Sequence, residues 1–204
     1  MARISADSDP LITTSACSRA MSQRRSAAAP GVLQTTFVRR RVQLRHDLKP
    51  GDLGAIVRAH GILYAREYGW DHTFEAYVAG GIARFAQSFD PTAERVWIAE
   101  ADNDLIGCIA IVRREPTVAQ LRWFLVHPAA RGRGLGRSLL REAVAFARAC
   151  GYRSVRLETV AGLDAAAALY REAGFVLARQ AEVEQWGARL TEQVYELQLH
   201  SENG

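Results

Sequence analysis

The chain has 204 residues, enough for one full domain with its own core and at most two small ones. Its net charge of +4 is a poor guide to partners: seven arginines against two aspartates lie in residues 1–41, leaving 19 basic and 20 acidic residues beyond them. The remainder is nearly neutral, which argues against nucleic acid as a partner. No apolar stretch is long enough for a membrane span, and no histidine or cysteine spacing suits a metal.

Residues 1–41 are rich in Ser, Ala and Arg, contain Pro10 and Pro30, and show no sustained periodicity. A disordered basic tail is predicted there. Gln23-Arg24-Arg25-Ser26 is followed by no apolar segment adequate for a twin-arginine signal. From Val42 to Gly204 the pattern is that of one domain. Val42–Leu48 alternates as a strand and ends at Pro50-Gly51. Asp52 is placed to cap a helix with Leu53, Ile56, Val57, His60, Leu63 and Tyr64 on one face, stopped by Gly69. Asp71 caps a second helix carrying Phe74, Tyr77, Val78, Ile82, Phe85 and Phe89. Val96–Glu100 and Leu105–Val112, joined at Asp102-Asn103-Asp104, read as a hairpin. A long apolar strand follows to Val126. After it come a helix to about Gly151, a strand at Ser154–Thr159, an Ala-rich helix over Asp164–Glu172 stopped by Gly174, a strand from Phe175, and a last strand at Gln193–Leu199. The strand–helix–strand crossover makes the strands ending at Val126 and Thr159 parallel neighbours, whereas the hairpin is antiparallel, so the sheet is mixed. Cys108 and Cys150 read as free, largely buried thiols of a cytoplasmic chain.

The most informative run is Arg131-Gly132-Arg133-Gly134-Leu135-Gly136, between the apolar strand Leu121–Val126 and the helix beyond. Glycines without a Cβ let backbone N–H groups converge on an anion, and the first helical turn adds unpaired donors and a positive partial charge. Arg131, Arg133 and Arg137 surround the turn with guanidinium groups suited to phosphate. A phosphorylated cofactor is therefore expected. The glycine spacing is wrong for a dinucleotide fingerprint.

The same run fits the Gln/Arg-x-x-Gly-x-Gly/Ala signature of the GNAT superfamily of N-acetyltransferases, and Leu169-Tyr170-Arg171-Glu172-Ala173-Gly174-Phe175 resembles that superfamily's closing Leu-Tyr-x-x-x-Gly-Phe element. His60–Asp71, Leu121–Val126, Phe146-Ala147-Arg148 and Trp186–Leu199 further resemble the acetyltransferase half of MarR–GNAT fusion proteins. The resemblance implies an α/β fold with a mixed central sheet whose parallel central strands splay, flanked by helices. It implies acetyl-CoA as cofactor and direct transfer of acetyl to a primary amine, of a small molecule or a peptide. By position, Leu125 and Val126 would meet the pantetheine and acetyl carbonyl, Gly132 to Gly136 would hold the pyrophosphate, and Tyr170 would be the general acid for the departing thiolate. The asparagine many members carry near the tyrosine-bearing helix is replaced by Ala161-Gly162-Leu163-Asp164; Asp164 either takes over its contact or caps the helix.

Several residues carry two readings. Glu158 is a candidate general base, or forms an ion pair with neighbouring Arg156. Tyr64, Tyr68 and Trp70 wall a substrate pocket or pack in the core. Arg122, out of phase with Leu121, Trp123 and Leu125, contacts substrate or needs a carboxylate partner. His60 is by default a hydrogen-bonded core histidine, or by analogy takes a substrate or base role. A non-catalytic acyl-CoA-binding sensor or interaction domain of the same fold is the alternative function. A homodimer is compatible with the sequence.

Overall fold

The computed structural model describes residues 42–199; the expectations placed on residues 1–41 and 200–204 lie outside the described residues. In chain order the elements are β1 (Gln43–Arg45), α1 (Asp52–Tyr68), α2 (His72–Gln87), β2 (Arg95–Ala101), β3 (Asp104–Glu115), β4 (Val118–Val126), a 3-10 turn (Pro128–Ala130), α3 (Leu135–Ala149), β5 (Ser154–Val160), α4 (Asp164–Glu172), β6 (Val176–Gln185) and β7 (Ala188–Gln198). Among the described residues the strands form a single sheet in the order β1-β2-β3-β4-β5-β7-β6. Only the β4–β5 pair is parallel, so the sheet is mixed as expected.

Alternation along the strands sends side chains to two cores. Ile109 and Ile111 of β3, Ala119 and Leu121 of β4, and Val155 and Leu157 of β5 meet the apolar stripe Leu139, Leu140, Ala143, Val144 and Ala147 of α3, with Tyr170 from α4. On the other face Cys108 and Ala110 of β3, Val96 and Ile98 of β2, and Trp123 and Leu125 of β4 meet Ile56 of α1 and Phe74, Val78, Ile82 and Phe85 of α2. The flanking helices thus leave the middle of the sheet dry and its central strand ends open to cavities.

Local signals set several boundaries. Asp71 caps α2, accepting the Thr73 N–H at 2.9 Å. The β2–β3 turn places Asp102 and Asn103 at φ 54° and 67°, the left-handed pair that a two-residue hairpin favours. Two expected caps differ. Gly51, not Asp52, is the N-cap of α1, and the Asp52 carboxylate is used differently: it accepts Arg45 Nη1 and Nη2 at 2.8 and 2.7 Å and the Lys49 N–H at 2.6 Å. Arg45 also pairs with Glu100, so one nearly buried cation ties the short edge strand β1 to α1 and β2. Likewise Leu163 is the N-cap of α4, and Asp164 is its first helical residue, where its charge complements the helix dipole.

The last strand is longer than its pattern suggested. β6 and β7 form a hairpin that pairs from Gln185↔Ala188 to Val176↔Glu196, with Trp186 and Gly187 at its turn. The Trp186 carbonyl accepts the Asp71 N–H at 3.0 Å, which clips this turn to the start of α2.

Candidate active site

The parallel strands pair only from Val118↔Ser154 to Leu121↔Leu157. Beyond that point Arg122–Val126 of β4 and Glu158–Val160 of β5 diverge, leaving a wedge between the central strands. A bulge in β4 shapes its near wall: Cys108 faces Leu125 and Ala110 faces Arg122, so two steps of β3 oppose three of β4. The extra residue is Trp123, at φ 49°. It moves Trp123 to the face opposite Leu121, correcting the simple alternation read from the sequence, and leaves Arg122 and Trp123 against α2 while Phe124 and Val126 turn toward α3.

One cavity of about 570 Å³ opens on the far side of the wedge, among Leu125, Val126, Arg131, Gly132, Gly134, Leu135, Gly136, Arg137 and Tyr68. Gly132 and Gly134 stand at φ 72° and 81°, a left-handed conformation costly for other residues. Gly134 is the N-cap of α3, so the first-turn N–H groups of that helix face the cavity mouth without intrahelical acceptors. Gly136 allows a close approach: a Cβ there would lie 3.0 Å from Leu169 Cδ1 and 3.4 Å from Phe124 Cζ. The helix start is thereby seated directly on β4 and α4. This is a cradle for an anion, and the residues present fit a diphosphate.

The arginines are divided. Arg131 Nε donates to the Val126 carbonyl at 3.0 Å and its guanidinium meets Glu67 at 2.9 Å. Arg137 forms a two-point pair with Glu172, at 2.7 and 2.9 Å. That guanidinium holds the Glu172 carboxyl below the usual carboxylate range. Arg133, nominated with them, is exposed and does not line the cavity. The carboxylate partners lie 64 and 35 residues away in the chain, which no local pattern signals.

A second cavity of about 290 Å³ lies on the other side of the wedge and shares Tyr64, Phe124, Leu163 and Ala166 with the first. It brings together Tyr64, Trp70, Arg122, Glu158 and Tyr170 of the residues nominated from sequence; Tyr68 instead lines the first cavity. Trp186, which sequence reasoning passed over, closes this cavity with Phe74 and Tyr77, its ring 4.5 Å from Trp70 and 4.9 Å from Phe74. The Trp-Gly turn was its only sequence signal. His60 is buried on the cavity wall, its Nδ1–H donating to the Ile56 carbonyl at 2.9 Å; burial lowers its pKa to about 4. The ring is therefore neutral and a poor base near neutrality.

Tyr170 is 5% exposed and packs among Phe124, Phe175 and Tyr195, at ring separations of 5.9 to 6.0 Å. Burial pushes its phenol above the usual tyrosine range, keeping the proton on the oxygen. Among the described residues no group hydrogen-bonds this hydroxyl. Glu158 stands across the wedge with one oxygen, Oε1, 3.2 Å from Arg114 Nη1 and 3.5 Å from Arg156 Nη2. The sequence expectation of an ion pair with Arg156 is met, and the same carboxylate also faces the cavity.

The sheet is mixed and parted between two parallel strands, with a glycine turn fit for an anion on one side of the gap and an aromatic pocket on the other. Residues 62–175 match the model of the acetyltransferase (GNAT) family, and the chain belongs to that family of enzymes. It is 30% identical over 92 residues to the N-acetyltransferase YjgM of Escherichia coli, covering 44% of this chain and 55% of that protein. It is 41% identical over 80 residues to N-alpha-acetyltransferase RimI of Mycobacterium tuberculosis, covering 38% and 49% respectively. The chain thus spans about half the length of these curated relatives. A Salmonella typhimurium acetyltransferase structure, solved with its cofactor acetyl-CoA, shares the fold: TM-score 0.62 at 20% identity, covering 80% of this chain and 96% of that one.

Proposed function

We propose that this chain is an acetyl-CoA-dependent N-acetyltransferase that passes the acetyl group to a primary amine, of a small molecule or a peptide, by direct attack. The observation that carries this reading is the pair of cavities meeting at the parted strands, one with an anion cradle and one lined by ionisable and aromatic groups. In the first, the amides from Gly132 to Gly136 hold the diphosphate, Arg131 and Arg137 exchange a carboxylate for phosphate, and β4 at Leu125 and Val126 offers backbone groups to the pantetheine. Bound there, acetyl-CoA supplies an activated acyl group as a thioester. Tyr64, Trp70 and Arg122 position the amine, with Tyr68 at the neighbouring mouth. Glu158 takes the proton the amine must lose. Tyr170, held in its protonated form, gives a proton to the departing thiolate.

The kinship with the acetyltransferase half of MarR–GNAT fusions belongs to this reading and rests on the sequence runs alone. A cytoplasmic setting suits the free thiols at Cys108 and Cys150. Among the described residues no helix is long and apolar enough to cross a membrane. The test is thiol release from acetyl-CoA against a panel of amines, run beside acetyl-CoA binding by thermal shift. Amine-dependent release is expected; stabilisation by acetyl-CoA without release on any amine would support a non-catalytic acyl-CoA sensor instead.

A further inference from the structure

The acceptor cavity contains one cation with no counter-charge. Arg122 is the one arginine or lysine among its lining residues, and no carboxylate pairs with it among the described residues. The guanidinium lies 5.6 Å from the Tyr77 ring and 5.5 Å from the Trp123 ring, with one long contact of 3.5 Å from Nη2 to the Tyr77 hydroxyl. Other arginines of the site have carboxylate partners: Arg131 pairs with Glu67, Arg137 with Glu172, and Arg114 and Arg156 with Glu158. The backbone makes room for this one. Gly81 of α2 faces it so closely that a Cβ would lie 3.0 Å from Arg122 Nη2. Beside it the Trp123 Nε1–H is buried and has no acceptor. Arg122 and Trp123 also border a further cavity lined by Gly81 and Glu94, so the guanidinium stands between the two cavities with no carboxylate in contact among the described residues, and a guanidinium favours a planar carboxylate.

The rest of the cavity has the opposite character. Trp70, Phe74, Tyr77 and Trp186 form an aromatic wall, and Glu158, paired with Arg114 and Arg156, and Glu192, paired with Arg179 at 3.4 Å, line it as hydrogen-bond acceptors for an ammonium group. Its volume of about 290 Å³ is at the small end of small-molecule pockets, which run roughly 300–1,000 Å³. We infer that the acceptor amine is a free amino acid with an aromatic side chain, its carboxylate on Arg122, its ring against the aromatic wall and its amine directed to the junction with the first cavity. This inference rests on the acetyltransferase reading and narrows its substrate.

The experiment compares kcat/KM for phenylalanine and tryptophan with that for their carboxamides, their decarboxylated amines, an N-terminal phenylalanyl dipeptide, and aspartate as a non-aromatic amino acid. The wild-type chain should prefer the free aromatic acid over its amide by roughly 10- to 100-fold, the range for a hydrogen bond to a charged group. In Arg122→Met that ratio should collapse toward unity. In Gly81→Ala, which displaces the guanidinium without removing it, the ratio should fall part of the way. Acetyl-CoA affinity by calorimetry, measured on each variant, reports whether the fold and first cavity are intact. Equal use of acid and amide by the wild type would overturn the inference while leaving acetyl transfer standing, as would an Arg122→Met loss shared equally by acid and amine. A preference for the dipeptide or for aspartate would also overturn it. Failure to acetylate any amine would sink the acetyltransferase reading and this inference with it.

Discussion

Replacing Tyr170 by phenylalanine removes one hydroxyl and little else. The ring is 5% exposed, its packing against Phe124, Phe175 and Tyr195 is kept, and no described residue loses a hydrogen bond. Stability should therefore stay within about 0.5 kcal/mol of the parent. Acetyl-CoA affinity should change little, because Tyr170 lines the acceptor cavity and not the cradle. Turnover is a different matter. Proton donation of this kind is worth roughly 10²–10⁴ in rate, about 2.7–5.5 kcal/mol of barrier. The pH dependence has a definite sign. Burial raises the phenol's pKa, so Tyr170 stays protonated through neutral and mildly alkaline pH, and its ionisation contributes no fall in rate below about pH 10. The defect in the variant should be largest near neutrality. It should shrink toward alkaline pH, where a departing thiolate, with an ordinary thiol pKa of about 8.5, needs no proton. The assay is steady-state thiol release from about pH 6 to 10 with calorimetric binding alongside. A kcat equal to that of the parent across this range would remove Tyr170 from the chemistry.

Three further perturbations probe other parts of the account. Trp186→Ala opens the acceptor cavity but leaves the cradle alone, so KM for the amine should rise by roughly tenfold with acetyl-CoA affinity unchanged; a fall in cofactor affinity instead would contradict the separate placing of the two cavities. Glu67→Gln releases Arg131 toward phosphate, and acetyl-CoA should bind up to about fivefold more tightly at low salt, with the gain lost at high salt; the pair is partly exposed, so a larger effect is not expected. Arg45→Met strands the nearly buried Asp52 carboxylate and should cost about 3–5 kcal/mol by denaturant unfolding. Arg45 holds the Asp52 and Glu100 carboxyls below their ordinary range, so their stabilisation is full above the unfolded carboxylate pKa and is lost as pH falls through the folded one. The parent should lose stability below about pH 4, and Arg45→Met should lose less of it over the same interval.

How far the site was legible depended on the reach of the signal. Asp71 and Gly69 mark helix ends because capping is decided within a few residues, and they stand where expected. The glycine–arginine turn was legible for the same reason. Asp52 misled: a carboxylate before an amphipathic run reads as a cap, but Arg45 on β1 competes for it, and Gly51 takes the cap position at φ 97°. The bulge at Trp123 has no compositional mark, since one extra residue in an apolar strand leaves the pattern apolar, yet it reverses which face Trp123 occupies. Trp186 was invisible as a pocket residue because its place is fixed by a hydrogen bond from Asp71, distant in the chain. The parting of β4 from β5 came from the family resemblance, and the register shows it as pairing that stops at Leu121 and Leu157.

The cradle at Gly132–Gly136 should grip the diphosphate of coenzyme A. Titration calorimetry of the purified chain with acetyl-CoA, coenzyme A and pantetheine addresses it directly. Saturable binding of both coenzyme A species, with pantetheine far weaker, is the predicted result. No heat from either, or pantetheine binding as tightly as coenzyme A, would contradict it.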